Sequence, residues 1–129
     1  MRVTQTQFYK KLLGRIGEKK AAKFLCKKGY KIIERNYTNK IGEVDLIALY
    51  GDLLVFIEVK TRSNVIYGNP ADAVDYNKQR KYVLMAEGYL MINPSYRDKC
   101  VRFDVIEVLN GEINHIESAF FADDVGKKL

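Results

Sequence analysis

The chain has 129 residues, 47% hydrophobic and 29% charged, a composition typical of one soluble globular domain with its own core. Its 22 lysine and arginine residues exceed its 16 aspartate and glutamate residues, for a formal net charge of +6 and a pI near 9.3. This excess favours a polyanionic partner, with nucleic acid ahead of a membrane surface. No apolar stretch approaches the length of a membrane span, and the polar N-terminus contains no apolar signal region, so a cytoplasmic protein without membrane contact is expected.

The cysteines and the single histidine argue against several kinds of site. Cys26 and Cys100 lie in different predicted elements and have no metal-ligand spacing, so reduced thiols are expected. His115 lies in a segment of alternating polarity and is predicted to be an exposed strand residue. A Ser-His-Asp triad, an HExxH zinc site or a histidine-based nuclease would each depend on that residue, and the pattern around it favours none of them.

Hydrophobic periodicity predicts a helix and three strands in the first half of the chain. Apolar and small residues recur at helical spacing in the first segment, and Gly29 is a plausible helix stop. The predicted ranges are a helix over 4–28, a strand over 30–37, a polar connection over 38–42, and two strands over 43–50 and 53–60.

The second half is predicted to form a helix and a second strand pair. A loop is expected over 63–69, and residues 69–72 (Asn-Pro-Ala-Asp) predict a helix start, because Asn caps, Pro fits the first turn and Asp favours the positive end of the helix dipole. The helix should run to about Met91 with a bend near Asp75. The remaining predictions are strands over 101–109 and 112–118 around an Asn-Gly turn, and a frayed tail over 123–129. The order predicts an α/β fold, a mixed sheet with packed helices, in one domain spanning 1–129 with its core at about 11–119.

The most informative local feature is the two-residue Gly51-Asp52 loop between the second and third strands. A Gly-X loop of this length indicates a hairpin and determines its register. In that register Asp45 opposes Glu58, and Glu43 opposes Lys60. All four side chains then share one face of the sheet.

Two directly opposed carboxylates require a physical reason, because like charges across a strand pair destabilise the sheet. A bound divalent cation would supply one, since hard cations take carboxylate oxygens. A hairpin slipped by one residue, or a solvated face with water between Asp45 and Glu58, would also explain the pattern. The other residues on this face are mostly apolar, which favours a dedicated site.

Glu18 is the only acidic residue among nine basic ones between Lys10 and Lys31. Small and apolar neighbours at helical spacing suggest that its helix approaches the sheet closely and directs Glu18 inward. An ion pair of Glu18 with Arg15 or Lys19 is the structural alternative, and the sequence leaves both open.

Lys60 and a basic run on the second helix are the remaining candidates. Lys60 either neutralises the carboxylates or, in a hydrolase, orients and helps to deprotonate water. The run Lys78-Gln79-Arg80-Lys81 is either a solvated helix face or a phosphate-binding one. Gln79 and Tyr82 share a side of this helix and could reach the same groove, although Tyr82 could equally be a core residue.

Asp45 followed by Glu58-Val59-Lys60 on adjoining strands resembles the PD-(D/E)XK nuclease superfamily. The wider pattern resembles the YraN-like family (UPF0102) of small bacterial proteins over about residues 11–108. The segments that carry this resemblance are Gly17-Glu18-x-x-Ala21, Gly29-Tyr30-x-Ile32-x-x-Arg35-Asn36, Gly42-Glu43-Val44-Asp45-Leu46-Ile47, Phe56-Ile57-Glu58-Val59-Lys60-Thr61-Arg62, Lys78-Gln79 and Arg102-Phe103-Asp104-Val105.

The resemblance implies a restriction-endonuclease-like α/β/α sandwich close to archaeal Holliday-junction resolvases. It implies that Asp45 and Glu58 bind Mg²⁺ or Mn²⁺, with the Val59 carbonyl completing the shell, and that Lys60 is the catalytic lysine. Glu18 would be the acid from the first helix, and Gln79 a supporting residue. The chain departs from the superfamily pattern at Val44, where a proline is usual.

The expected function is therefore a metal-dependent phosphodiesterase acting on DNA, with RNA as an alternative, and selective for branches, flaps or ends. A homodimer would suit a four-way junction. The first alternative is a non-catalytic nucleic-acid-binding module in a repair, uptake or RNA-processing complex; the second is a structural partner of another protein. The expected metal ligands are Asp45, Glu58 and Glu43, and the expected phosphate contacts are Arg15, Lys19, Lys23, Arg62, Lys78, Arg80 and Lys81.

Overall fold

The computed structural model describes residues 4–62 and 74–129 and builds them around one five-stranded sheet. The strands lie in the order β1-β2-β3-β4-β5; β3 and β4 are parallel, and the other neighbours are antiparallel. The predicted α/β sandwich, a mixed sheet flanked by helices, is confirmed. The elements are α1 (Gln5–Lys27), β1 (Lys31–Thr38), β2 (Glu43–Tyr50), β3 (Leu53–Arg62), α2 (Tyr76–Ile92), β4 (Cys100–Leu109) and β5 (Glu112–Phe120).

Each face of the sheet has its own apolar core. Ala21 and Leu25 of α1 pack on one face with strand residues such as Ile57. Tyr82 and Met85 of α2 pack on the other face.

Local chemistry accounts for the ends of α1. Thr4 and Gln7 form a capping box: the Thr4 hydroxyl accepts from the Gln7 N–H, and the Gln7 side chain accepts from the Thr4 N–H, each at 3.1 Å. Gly29 follows the helix with φ of 97°, a conformation that favours glycine. The predicted helix and its stop are confirmed.

Both predicted hairpins are present. Gly51 has φ of 56°, and the β2–β3 register runs from Tyr50↔Leu53 to Leu46↔Ile57, as the two-residue loop predicts. Asn110 and Gly111, between β4 and β5, have φ of 50° and 83°, the two positive values of a type I′ turn.

The structure differs from prediction at two boundaries. The expected loop over 63–69 and helix start over 69–72 lie outside the described residues, but α2 itself begins at Tyr76, where the Asp75 side chain accepts from the Lys78 N–H at 2.9 Å. The C-terminal segment, expected to fray, forms a 3₁₀ turn (Ala122–Val125), and Val125 is buried. Val125 packs in the core on the α2 face and so holds the C-terminal segment in place. A prediction of fraying from its position at the end of the chain does not include this contact.

Gly17 brings α1 close to the functional end of the sheet. A Cβ built there would lie 1.9 Å from Thr61 Oγ1 and 3.1 Å from Thr61 Cβ, so only glycine permits this approach to β3. Because Glu18 is the next residue, the contact determines how far its carboxylate reaches toward the sheet.

We expect Gly17→Ala to lower the free energy of unfolding by about 1–3 kcal/mol, because overpacking outweighs the better helix propensity of alanine. Chemical denaturation measures the change. Gly14→Ala is the matched control: nothing lies within 4 Å of a Cβ there, so this variant should be neutral or slightly more stable. The double variant Gly17→Ala/Thr61→Ala should be more stable than Gly17→Ala; an equal loss would show that Thr61 is not the obstacle.

Candidate functional site

Asp45 and Glu58 come together where β2 stops pairing with β3. The paired residues end at Leu46↔Ile57. Two residues further along β3, the Val59 N–H donates to Asp45 Oδ2 at 2.8 Å. A carboxylate thus accepts this N–H in place of a strand carbonyl. The predicted Asp45–Glu58 opposition lies just beyond the last paired residues, but the contact places Asp45 beside the residue that follows Glu58.

Glu58 is 4% exposed and is bound by three side chains. Tyr82 donates its hydroxyl to Oε2, Lys78 donates to Oε1 at 2.5 Å, and the Lys60 ammonium lies 3.4 Å from Oε1. Lys78, expected to contact phosphate, here contacts a carboxylate. The sequence left Tyr82 between a core and a groove role; it is a core residue whose polar end belongs to the site.

Burial and like charge dominate the electrostatics of the site. Burial, and then the charge of Glu58, raise the pKa of Asp45 to about 8. Burial lowers the pKa of Lys78, but its hydrogen bond to Glu58 and the charge of that carboxylate reverse the effect and leave the pKa raised. Burial and the charge of Glu58 also hold the pKa of Tyr82 well above 10, so its hydroxyl stays a donor. The charge of Lys78 lowers the pKa of Asp45 but does not offset burial and the charge of Glu58.

Glu18 reaches the same end of the sheet from α1. Asn36, which has φ of 52°, turns its amide nitrogen to donate to Glu18 Oε2 at 3.0 Å and Glu43 Oε1 at 3.1 Å. Burial raises the pKa of Glu18, the Asn36 hydrogen bond lowers it, and the charge of Glu43 raises it again. The inward orientation of Glu18 is confirmed. Sequence reasoning gave Asn36 no role, although a polar amide between strand residues was a usable signal.

The predicted partnership of Glu43 with Lys60 is not what the structure shows. Glu43 is exposed and pairs with Thr38 of β1, whereas the ion pair formed by Lys60 is to Glu58. The cause is the early end of the β2–β3 pairing, which leaves Glu43 beyond the ladder. Gln79 donates its amide to the Val74 carbonyl at 2.9 Å, so in this structure it supports the start of α2.

The oxygen donors at this end suit a hard cation in chemistry but are not arranged as a ligand cluster. Asp45 and Glu58 offer carboxylate oxygens, the type that Mg²⁺ and Mn²⁺ prefer. Across 4–62 and 74–129 no group of three or more His, Cys, Asp or Glu side chains is positioned to hold an ion. The assignment of Asp45, Glu58 and Glu43 as metal ligands stays a prediction.

Two grooves flank the carboxylates. One, of about 450 Å³, lies between α1 and β1; the other, of about 370 Å³, is lined by Glu43, Lys78 and Lys81. Of the other basic residues expected to contact phosphate, Lys23 and Arg80 are exposed on their helices, and Arg62 lies 3.8 Å from Glu107. The first groove is lined by Leu12, Arg15, Ile16, Glu18, Lys19, Arg35, Asn36 and Leu46.

A second polar cluster lies on the α1 face of the sheet, around β4 and β5, and corrects the prediction for His115. The His115 ring is 3% exposed and its Nε2 lies 2.7 Å from Asp104 Oδ2. Asp104 is fully buried and also accepts from Arg102, at 2.9 and 2.8 Å, and from the Ser118 N–H at 3.1 Å. His115 is not an exposed strand residue because its ring packs near Tyr30 of the α1 face, a long-range contact that strand alternation does not encode.

Cys26 and Cys100 are free and exposed, in agreement with the expectation of reduced thiols. Neither helix in the part of the chain that the structure describes has the length and apolar character needed to cross a membrane.

Comparison with known proteins adds relatives that share most of the chain. The model of the uncharacterised protein family UPF0102 matches residues 17–108. A UPF0102 protein of Caldanaerobacter subterraneus subsp. tengcongensis is 51% identical over 118 residues, covering 86% of this chain and 96% of the relative. UPF0102 proteins of Clostridioides difficile and Thermodesulfovibrio yellowstonii are each 46% identical, over 83% and 84% of this chain and 95% and 96% of their own. The matched region includes every carboxylate of the candidate site.

Proposed function

The chain belongs to the uncharacterised protein family UPF0102, and from the geometry of its site we propose that it is a metal-dependent phosphodiesterase that cleaves DNA. One observation carries the proposal: Asp45 and Glu58 lie together at the end of the sheet, where burial, and then repulsion from Glu58, raise the pKa of Asp45 to about 8. A site that retains such a conflict is more often functional than structural.

The neighbouring residues support this function. Asp45 and Glu58 would hold Mg²⁺ or Mn²⁺, which when bound supplies a Lewis acid for a phosphate oxygen and an activated water. Lys60, 3.4 Å from Glu58 Oε1, lies beside the pair, where its ammonium can orient the attacking water and its neutral amine can accept a proton from it. Glu18 and Asn36 would orient groups from the α1 side, and Tyr82 keeps the Glu58 carboxylate in one position.

The arrangement of Asp45 on β2 and Glu58-Val59-Lys60 on β3 further supports a relation to the PD-(D/E)XK superfamily and its archaeal Holliday-junction resolvases. The basic residues Arg15, Lys19 and Lys81 line grooves beside the carboxylates, where backbone phosphates would bind without sequence readout. We therefore propose selectivity for DNA structure, such as branches, flaps or ends.

A specific observation favours a second candidate, a nucleic-acid-binding module without catalysis. Glu58 already has Lys78 on one oxygen and Tyr82 on the other, so its charge is balanced by the chain itself. A divalent cation would have to compete with Lys78 for this carboxylate.

The decisive experiment is cleavage of labelled single-stranded, duplex, flap and four-way-junction DNAs with Mg²⁺, Mn²⁺ or EDTA. We expect cutting that requires metal and falls about 10²–10⁴-fold in Lys60→Met, the range for a lost proton-transfer group. Lys99→Met is the matched control, because Lys99 lies beside Asp52 at the far end of β3 and should leave the rate unchanged. Salt-sensitive binding without cutting by the unmodified protein would move the assignment to the binding module.

A further inference from the structure

The N-terminal half of α1 is an unpartnered surface of mixed apolar and basic character. Every residue from Thr4 to Leu12 is exposed, and the first buried residue of the helix is Gly17. Phe8 and Tyr9 are 64% and 61% exposed, large fractions for aromatic side chains.

These apolar residues form a continuous stripe. Phe8, Leu12 and Ile16 recur at every fourth position, so they lie along one side of the helix, and Tyr9 adjoins them. Leu12 and Ile16 also line the groove between α1 and β1. The stripe therefore leads from the exposed aromatic pair into a groove that Glu18 lines from α1 and Asn36 lines from β1.

Charge identifies the kind of occupant. From Thr4 to Gly17 the chain has no acidic residue, while Lys10, Lys11 and Arg15 are basic. Lys19 and Arg35 add two cations to the groove itself. A polyanion that also presents flat apolar surfaces matches this combination, and an unpaired nucleic-acid strand has both a phosphate backbone and exposed bases.

We infer that this half of α1 binds an unpaired nucleic-acid strand and guides it through the α1–β1 groove to the carboxylates. Phe8 and Tyr9 stack on bases, and Arg15, Lys19 and Arg35 contact phosphates. The helical rise places Phe8 about 15 Å from Glu18 along the axis, so the N-terminal half of α1 engages nucleotides near the reacting phosphate. The inference rests on the proposed function and names its substrate class: DNA with a single-stranded segment. A membrane surface is less suited, because it could not enter the groove.

Fluorescence anisotropy in EDTA tests binding without chemistry, using a labelled single strand and a blunt duplex of the same sequence. Phe8→Ala/Tyr9→Ala should weaken single-strand binding about 10-fold or more, as expected for lost stacking, and leave duplex binding nearly unchanged. Phe8→Leu/Tyr9→Leu should behave the same way, because it keeps apolar area but cannot stack. Tyr76→Ala/Met91→Ala, which removes equally exposed side chains of α2, is the control and should bind normally.

Arg15→Gln/Lys19→Gln should reduce the slope of log affinity against log salt by about 1.4 for a single strand. Unchanged single-strand affinity in both aromatic variants would overturn the inference. A dimer in sedimentation that dissociates in Phe8→Ala/Tyr9→Ala would also overturn it, because a second copy of the chain would then cover this surface. Stronger binding to anionic phospholipid vesicles than to the strand would overturn it as well, because the surface would then bind a membrane. If the aromatic variants lose strand binding but the unmodified protein cleaves no DNA, the strand-binding role of α1 stands and the proposed nuclease function is rejected. If the unmodified protein cleaves DNA but the aromatic variants bind the strand normally, the nuclease function stands and the strand-binding role of α1 is rejected.

Discussion

Asp45→Asn is expected to abolish metal-dependent cleavage and, without metal, to raise the free energy of unfolding. The folded-state pKa of Asp45, about 8, lies above the ordinary value of 3.8. Its contribution to stability is therefore complete below pH 3.8 and is lost as the pH rises through about 8. Asparagine keeps an oxygen for the Val59 N–H and removes the charge that Glu58 repels.

The gain should be about 1–3 kcal/mol, which is less than the full pKa shift implies because Lys60 and Lys78 can rearrange. Urea unfolding in EDTA at pH 6 and pH 9 measures it, and the gain should be larger at pH 9. Asp52→Asn, at a side chain that is 97% exposed, is the matched control and should leave the midpoint unchanged. Mg²⁺ should stabilise the unmodified protein and not the variant. A less stable Asp45→Asn protein would show that Asp45 serves the fold as an ion-pair partner.

The second large effect concerns the cluster around Asp104 on the α1 face of the sheet. Asp104→Asn should destabilise the protein by about 3–5 kcal/mol, because it leaves Arg102 buried without its carboxylate. Glu117→Gln is the control from the same cluster: Glu117 is 53% exposed, lies 3.9 Å from Lys28 and Arg102, and should change stability little. Thermal and urea unfolding measure both variants.

The stability contribution of Asp104 changes with pH in the opposite direction to that of Asp45. Burial raises the pKa of Asp104, but its hydrogen bonds with His115, Arg102 and the Ser118 N–H outweigh burial and leave the pKa below 3.8. A carboxylate with a lowered pKa contributes stability above pH 3.8 and loses it as the pH falls through its folded value. The difference between unmodified protein and Asp104→Asn should therefore shrink on acidification below about pH 4. If the difference in the free energy of unfolding stays constant with pH, the destabilisation by Asp104→Asn comes from lost packing and not from lost charge.

The sequence was sufficient to predict the Asp45–Glu58 pair because short-range geometry determines it. A two-residue turn leaves one register, and strand alternation then assigns each side chain to a face. The same local signals predicted the Asn110-Gly111 turn and the end of α1 at Gly29. Each of these features depends on residues that are close in the chain.

The partners of that pair could not be predicted, because they come from other layers. Lys78 lies twenty residues from Glu58 and reaches it only after α2 packs on the sheet. The burial of His115 likewise depends on Tyr30 and Asp104, which belong to other strands or their ends. A basic residue on a helix face looks the same in sequence whether its nearest anion is a phosphate or a carboxylate.

The strand order, which repeats the order in the chain, has a consequence for how the protein folds. Every neighbouring pair except β3–β4 is joined by a short connection, so most sheet contacts have low contact order. The β2–β3 hairpin is the most local of these, and it already contains Asp45 and Glu58. Lys78 and Tyr82, which relieve Glu58, arrive only when the chain completes the crossover through α2. The Asp45–Glu58 repulsion is thus present before Lys78 and Tyr82 reach Glu58. We therefore expect this repulsion to lower the folding rate more than it raises the unfolding rate.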